Sequence, residues 1–304
     1  EDITVIVGEE VQKLKNADIL RLTSQGSVLF SRVSPEDKLR IVGAIKKSGR
    51  VVAVTGDGIN DAPALKQADI GVAMGVTGTD VAKQSAEIVL LDDSFHTLIG
   101  AVQQGRVVFQ NIKKGTLSCF TSNSAELVVN LLSLAAASLF GIPLAITVMQ
   151  ILAIDLVAEL FPIAALGWDQ ADRELMHEPA RDPKKHILNK KSILDLLWCG
   201  LVIGGLAFTN YLLFFARSGV AADTIKSGST LHMKATALTY LTIVLCQLCN
   251  ILQRRSQQGI FSKYQLHNRY LWGAMALSIA CVVTIIYSPI NQYFGAAPLQ
   301  LMDW

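Results

Sequence analysis

The chain has 304 residues, a formal net charge of +2, 51% hydrophobic and 17% charged residues, and a mean hydropathy of +0.39. Soluble domains carry roughly 25% charged residues, so apolar residues are in excess here. The near-neutral balance excludes a dedicated nucleic-acid binder, and the composition excludes disorder, a collagen-like repeat and a small disulfide scaffold.

The chain opens Glu1-Asp2-Ile3-Thr4, with no initiator Met, no basic stretch and no long apolar run. It reads as internal sequence and not as a signal peptide. Residues 1–95 alternate short apolar runs with charged helical patterns. Ser34-Pro35-Glu36-Asp37-Lys38 opens a helix. The β-branched run 50–55 is a buried strand, followed by a helix at 60–68, a strand at 69–74, a helix at 81–85 and a strand at 86–91. Strands separated by short helices predict a parallel, doubly wound sheet. Such sheets bind ligands at the carboxyl ends of their strands.

The best of these strands ends in Thr55-Gly56-Asp57-Gly58-Ile59-Asn60-Asp61-Ala62-Pro63-Ala64-Leu65. Gly56 and Gly58 permit a tight turn, and Asn60 or Asp61 is placed to cap the helix that follows. Asp57 leaves the strand end without apolar cover, as a carboxylate ligand of Mg²⁺ does. Lys38, some twenty residues earlier, reaches the same strand ends as a cation for phosphate.

Residues 95–116 read as a helical stalk, weakened by Gly100 and Gly105 and ending in the basic collar Lys113-Lys114. Five apolar stretches follow, at about 117–140, 144–167, 193–216, 235–252 and 271–287. Each approaches the ~20 residues that a helix needs to cross a bilayer. The 168–192 loop holds six Lys/Arg (Arg173, Arg181, Lys184, Lys185, Lys190, Lys191), and the loop after the fourth span holds Arg254, Arg255, Lys263 and Arg269. Gly141-Ile142-Pro143 and the tail from Ser288 hold none. The positive-inside rule therefore places the basic loops and residues 1–116 in the cytoplasm. Five spans leave the C-terminus outside, which predicts at least one further span beyond it. All five cysteines lie in apolar spans and read as small packing residues, including the Cys246/Cys249 pair.

Glu126, Asp155 and Glu159 are carboxylates deep within two of the spans. Burying a charge at mid-membrane costs about 2.5–3.5 kcal/mol on insertion scales, so such residues mark ion pathways. Ser122 and Glu126 share a helix face with Asn130, and Asn123 borders it; Asp155 and Glu159 are also four apart. The short Gly141-Ile142-Pro143 link brings the two polar faces together. Pro162 removes a backbone donor near Glu159 and should free a carbonyl. Gln247 and Asn250 are positioned to add neutral oxygens from the fourth span. An all-oxygen ligand set suits a hard cation.

The turn at 55–65, the string Arg32-Val-Ser-Pro-Glu-Asp-Lys38 and Leu91-Asp-Asp-Ser-Phe95 resemble the phosphorylation domain of P-type cation-transporting ATPases, in the calcium-pump and sodium/potassium-pump branch. Thr121-Ser122-Asn123-Ser124-Ala125-Glu126, the 154–162 string and Gln247-Leu-Cys-Asn250 resemble spans of the same branch. The resemblance implies an α/β haloacid-dehalogenase-like (Rossmann-like) partial phosphorylation domain at 1–95, a stalk at 96–116 and an α-helical transmembrane bundle at 117–304. It implies an ion pump of the cell membrane that uses ATP and Mg²⁺ through an aspartyl-phosphate. Asp57 then binds Mg²⁺, Lys38 contacts the phosphoryl group, and Thr55, Gly56, Asn60 and Asp61 form the hinge. Ser122, Asn123, Glu126, Asp155, Glu159, Gln247 and Asn250 become the transported-ion residues, with Ca²⁺ or Na⁺/K⁺ as the cation. Asp155 and Gln247 are closer to the sodium/potassium type, Asn250 to the calcium type, and Ala158-Glu159 departs from the usual Thr-Asp of both. The family's Asp-Lys-Thr-Gly motif is absent from this sequence, so the chain by itself is expected to be inactive without the upstream part of the polypeptide. The alternatives are a haloacid-dehalogenase-like phosphatase domain on a membrane anchor, which shares the Gly-Asp-Gly-x-Asn-Asp turn, and a non-catalytic truncated pump.

Overall fold

The structure is a computed structural model that describes residues 3–170, 175–179, 181–182, 185–221, 224–255, 263–300 and 303. Arg173 and Lys184 of the basic loop lie outside the described residues, as do three of the last four residues of the tail. The chain forms two compact units, Glu1–Gln103 and Gln104–Trp304.

In the first unit, β1 (Thr4–Val7) runs parallel to β2 (Val28–Ser31), with α1 (Gly8–Lys13) and α2 (Asn16–Gln25) forming the crossover. The helix α3 (Pro35–Lys47) starts where the sequence predicts it. Ser34 Oγ accepts the Asp37 amide at 3.1 Å, the Asp37 carboxylate accepts the Ser34 amide at 3.2 Å, and Pro35 occupies the first turn, where its missing N–H costs nothing. β3 (Ala53–Gly56), β4 (Ile70–Met74) and β5 (Ile88–Leu90) form a second parallel sheet in that order, connected through α4 (Ala62–Gln67) and α5 (Asp80–Ser85). Parallel pairing was legible in the alternation of strands and helices. A single doubly wound sheet is not what forms: the described strands make two separate small sheets, of two and three strands. The strand predicted at 50–55 begins only at Ala53, because Val52 is bound by Asp69, whose carboxylate accepts the Val52 amide at 3.0 Å.

The end of β4 is fixed by Asp93, which stands at φ +50. Its carboxylate accepts the amides of Gly75 (2.6 Å), Val76 (3.0 Å) and Thr77 (2.8 Å) and the Thr77 hydroxyl (2.7 Å). The Val76 amide acts most strongly, against a desolvation penalty, with Thr77 and Gly75 assisting, and together they hold the carboxyl down to about 2. A carboxyl with a lowered folded-state pKa stabilises above its ordinary value and loses that contribution as pH falls toward the lowered one. Proteolytic cleavage of the 75–77 turn should therefore rise between about pH 4 and pH 2. In Asp93→Asn the turn should be cleaved readily at neutral pH, with the rise on acidification largely gone.

The second unit is built on five helices long and apolar enough to cross a membrane. α6 (Phe95–Phe140) begins in the first unit and is an uninterrupted 46-residue helix. That is roughly 70 Å at 1.5 Å per residue, more than twice a ~30 Å hydrocarbon core. The second span, Val148–Trp168, comprises α7 (Val148–Ala153), a π-helical turn (Ile154–Glu159), α8 (Leu160–Ala165) and a closing 3₁₀ turn (Leu166–Trp168). It starts later than the predicted 144, because Thr147 caps the helix by accepting the Gln150 amide at 3.2 Å. α9 (Lys190–Ser218), α10 (Thr230–Arg255) and α11 (Arg269–Tyr287) follow, and α12 (Asn291–Phe294) is a single short turn.

α10 is the central helix, with 78% of its apolar stretch buried by neighbours against 28–39% for the other four. Lipid tails are as apolar as Leu, so helices in a bilayer associate through close backbone approach and polar contacts. Gly200 and Gly204 of α9 lie against Ser124 and Ala125 of α6, and a Cβ on Gly204 would stand 2.6 Å from the Ala125 carbonyl oxygen. Hydrogen bonds add to this packing: Asn210 donates to Thr242 Oγ1 (3.0 Å) and Tyr211 OH to the Pro143 carbonyl (2.7 Å). Exposed Trp168 and Tyr270 lie tilted against each other with centroids 5.8 Å apart at one end of the bundle, an aromatic pair of the kind found at headgroup level. Cys119 and Cys249 face outward and do not pack in the interior, which corrects their reading as buried packing residues.

Candidate functional site

Two places carry chemistry, one in each unit. In the first, Asp61 organises the turn after β3. One carboxylate oxygen accepts the amides of Asp57 (3.3 Å) and Gly58 (3.2 Å), and the other accepts Lys38 Nζ at 2.6 Å. Burial pushes the Asp61 carboxyl up, but the Lys38 ammonium and the two amides outweigh it and hold it below the usual range. The expected capping role is thus corrected: Asp61 occupies the N-cap of α4 with no side-chain cap bond, because its carboxylate turns back onto the preceding amides. Gly56 is required by close approach and not by an unusual backbone angle, since a Cβ there would meet Asp61 Cβ at 2.5 Å. The same atom on Gly58 finds ordinary contact distance.

The turn thus brings Lys38, Gly56, Asp57 and Asp61 together, with half-buried Thr55 at the strand end. Asn60 is exposed within a 3₁₀ turn, Ile59–Asp61. Asp57 is exposed, and its carboxylate has no protein partner among the described residues. A carboxylate left free while its neighbours are tied down fits Mg²⁺, which is commonly bound by one or two carboxylates, phosphate oxygens and water.

The second place lies within the membrane helices. Glu126 on α6 and Glu159 on the π-turn are buried, with 6% and 3% exposure, and one oxygen of each has no hydrogen-bond partner. Ser122 and Ser118, four and eight residues before Glu126, also have buried hydroxyls without partners. Six such side-chain atoms occur among the described residues, and three of them are on α6, at Ser118, Ser122 and Glu126. Ser122 lies beside Glu159, and half-buried Asp155 is within electrostatic reach of both glutamates. Among the described residues no three carboxylate, imidazole or thiol side chains form a metal-ligand group by themselves. Buried polar atoms are nearly always paired, so the unpartnered oxygens of Glu126 and Glu159 are exceptions that call for a reason.

Other expected members of this site are placed elsewhere. Asn123 faces outward on α6, because it is one residue off the buried 122/126 face. Asn130 donates back to the Glu126 carbonyl at 2.9 Å. The oxygens of Gln247 and Asn250 are engaged: Asn250 donates to Gln247 (3.1 Å), Arg254 donates to Asn250 (3.0 Å), and Gln247 donates to the Ser118 carbonyl (2.8 Å). Arg254 continues this chain to Thr121 Oγ1 (2.9 Å) and Asp195 (2.7 Å), joining α6, α9 and α10. Pro162 leaves the Ala158 carbonyl without its helical donor, but Ser278 Oγ of α11 donates to it at 2.8 Å, so that carbonyl is already used. Ser118 went unread in the sequence, although extending the four-residue spacing from Ser122 would have found it.

The description "Cation transporting ATPase, C-terminus" belongs to a family whose pattern matches residues 143–304, more than half of the chain. The chain belongs to this family, as a C-terminal portion of a P-type cation pump. Similar proteins agree with that membership. A calcium-transporting ATPase of Bacillus subtilis (strain 168) is 35% identical over 99% of this chain and 32% of its own length. The sodium/potassium-transporting ATPase subunit alpha of Hydra vulgaris is 38% identical over 99% of the chain and 32% of its own length. The calcium-transporting ATPase type 2C member 2 of Rattus norvegicus is 34% identical over the whole chain and 31% of its own length. The chain thus spans about a third of the curated relatives it matches. As part of a P-type pump with five membrane-crossing helices, it belongs to a multi-pass membrane protein.

Proposed function

We propose that this part of the pump carries the Mg²⁺-binding hinge of an ATP-driven transporter together with part of its cation pathway, and that the complete protein cycles through an aspartyl-phosphate. The proposal divides the chain into a partial haloacid-dehalogenase-like phosphorylation domain at 1–95, a stalk at 96–116 and a transmembrane domain at 117–304. Residues 1–116 then lie in the cytoplasm, and the pump resides in the cell membrane. The transported ion is a hard cation, Ca²⁺ or Na⁺/K⁺, held by Glu126, Glu159 and Ser122, with Asp155 adjacent. Gln247 and Asn250 act through the hydrogen-bond chain that fixes α10 against α6.

In the cytoplasmic unit, Mg²⁺ bound with phosphate would neutralise charge developing on the transferred group. The chain's own contribution is positional, as expected where phosphoryl transfer depends on placement and charge. Asp61 fixes Lys38 and the backbone of the turn, and Asp57 offers its free carboxylate. The phosphate-accepting Asp and the main ATP contacts belong to the remainder of the pump.

The observation that carries this reading is the pair of buried glutamates with unpartnered oxygens on two apolar helices. A simple membrane anchor has no use for them, which disfavours the anchored phosphatase. Phosphoenzyme formation by the full-length protein from ATP, scanned over Ca²⁺, Na⁺, K⁺ and Mg²⁺, tests it. Formation stimulated by one transported cation is expected, and formation indifferent to all of them would overturn the reading.

A further inference from the structure

One buried charge cluster has no part in the sites above. Asp169 follows the 3₁₀ turn that ends the second span, and its side chain is fully buried. Arg255, at the end of α10, donates Nε to both Asp169 oxygens at 2.9 and 3.0 Å and is itself 1% exposed. Asn268, the cap of α11, donates to Asp169 at 2.7 Å, and Lys114 of α6 stands 3.7 Å away. Asn111 of α6 donates to the Asp169 backbone carbonyl at 3.0 Å. One carboxylate therefore gathers four helices at one end of the bundle.

The other end of the same span is also fastened. Thr147 Oγ1 donates to the Phe294 carbonyl at 2.8 Å, and Gln150 Nε2 donates to Thr236 Oγ1 at 3.3 Å. Between the two fastenings lies the π-turn Ile154–Glu159. A π-turn holds one residue more than an α-turn, and one residue is about 100° of rotation. If the turn relaxed to α geometry, the residues on one side of it would rotate by that amount relative to the other. Glu159 would then turn away from Ser122 of α6, beside which it lies. Pro162 removes one α-helical donor to the turn, that to the Ala158 carbonyl, and the contacts above hold the span on either side of it.

We propose that Asp169, gripped by Arg255, is a positioning residue that fixes the π-turn and so places Glu159 for cation binding. This rests on the cation-site reading above and extends it to a group that touches no ion. A merely structural ion pair affects how much pump is made. A positioning pair affects the cation concentration at which that pump works.

The test uses the full-length pump in membranes. Breaking one partner leaves a buried unpaired charge, whereas removing both charges is often tolerated. The double variant Asp169→Asn/Arg255→Gln is therefore compared with the unmodified pump for cation-dependent phosphorylation from ATP. The half-maximal cation concentration should rise by about 5–150-fold, the range of coupling between linked sites, while the maximal phosphoenzyme per folded pump stays unchanged. An unshifted half-maximal concentration in a folded double variant overturns the proposal. If the double variant does not insert, Lys114→Met decides: a rise supports the cluster's role, and an unchanged value overturns it. An unmodified pump whose phosphorylation ignores every cation overturns the parent reading instead, and is distinguishable because it fails before any variant is made.

Discussion

Glu159→Gln in the full-length pump should abolish cation activation of phosphorylation in the working concentration range while leaving the first unit, Glu1–Gln103, folded. The side chain is 3% exposed and one of its oxygens lacks a partner, so it has no structural bond at that oxygen to lose. A neutral amide keeps the shape but removes a full charge from the ligand set. Loss of groups that only support a metal ligand costs about 10–100-fold in affinity, and loss of a carboxylate ligand should exceed that. Glu126→Gln should behave alike. Asp155→Asn should have a smaller effect, because Asp155 is only half-buried. Gln247→Leu should instead reduce the yield of folded pump, since its amide ties α10 to the Ser118 carbonyl. Apparent cation affinities from phosphorylation titrations check the three carboxylate variants, and the amount of folded pump in membranes checks Gln247→Leu. Unchanged affinity in both glutamate variants would remove Glu126 and Glu159 from the mechanism.

The second large effect is expected at Asp57. Its carboxylate makes no hydrogen bond or ion pair among the described residues, so Asp57→Asn should leave stability within about 0.5 kcal/mol. Mg²⁺-dependent phosphorylation should nevertheless fall by at least about 10²–10³-fold, the scale seen when a preorganised electrostatic group is removed. Lys38→Ala should lose both properties, because Lys38 also holds Asp61 at 2.6 Å, and Asp61 in turn holds the amides of the turn. Thermal unfolding together with phosphoenzyme assays separates the two variants. Near-normal phosphorylation in Asp57→Asn would refute its assignment to Mg²⁺.

Much of this was legible before any coordinates. The five spans could be read because a bilayer imposes a length and a polarity that composition records directly. Ser34 and Pro35 declared the start of α3, and the apolar runs before Gly56 and at 70–74 declared two parallel strands, since caps and β-branched runs are local chemistry. The glutamates at 126 and 159 stood out because an ionisable group in an apolar span needs a reason. Other features depended on residues far apart in the chain. That Gln247 and Asn250 spend their oxygens on protein donors depends on Arg254 and on α6 arriving beside α10. The carbonyl freed by Pro162 was predictable, but its capture by Ser278, 120 residues away, was not. Pro162 signals a break in the hydrogen-bond ladder at Ala158, but that the span answers with a π-turn at Ile154–Glu159 is seen only in the structure. Nothing local to Trp168-Asp169 in the sequence marks Asp169 as buried. It is buried only because Arg255, Asn268 and Lys114 converge on it, and a buried carboxylate is stable only where such partners meet it. The sequence by itself determined which segments cross the membrane and which residues are chemically expensive there. The tertiary structure decided which of those residues keep a free oxygen, because that depends on which donors the other helices bring.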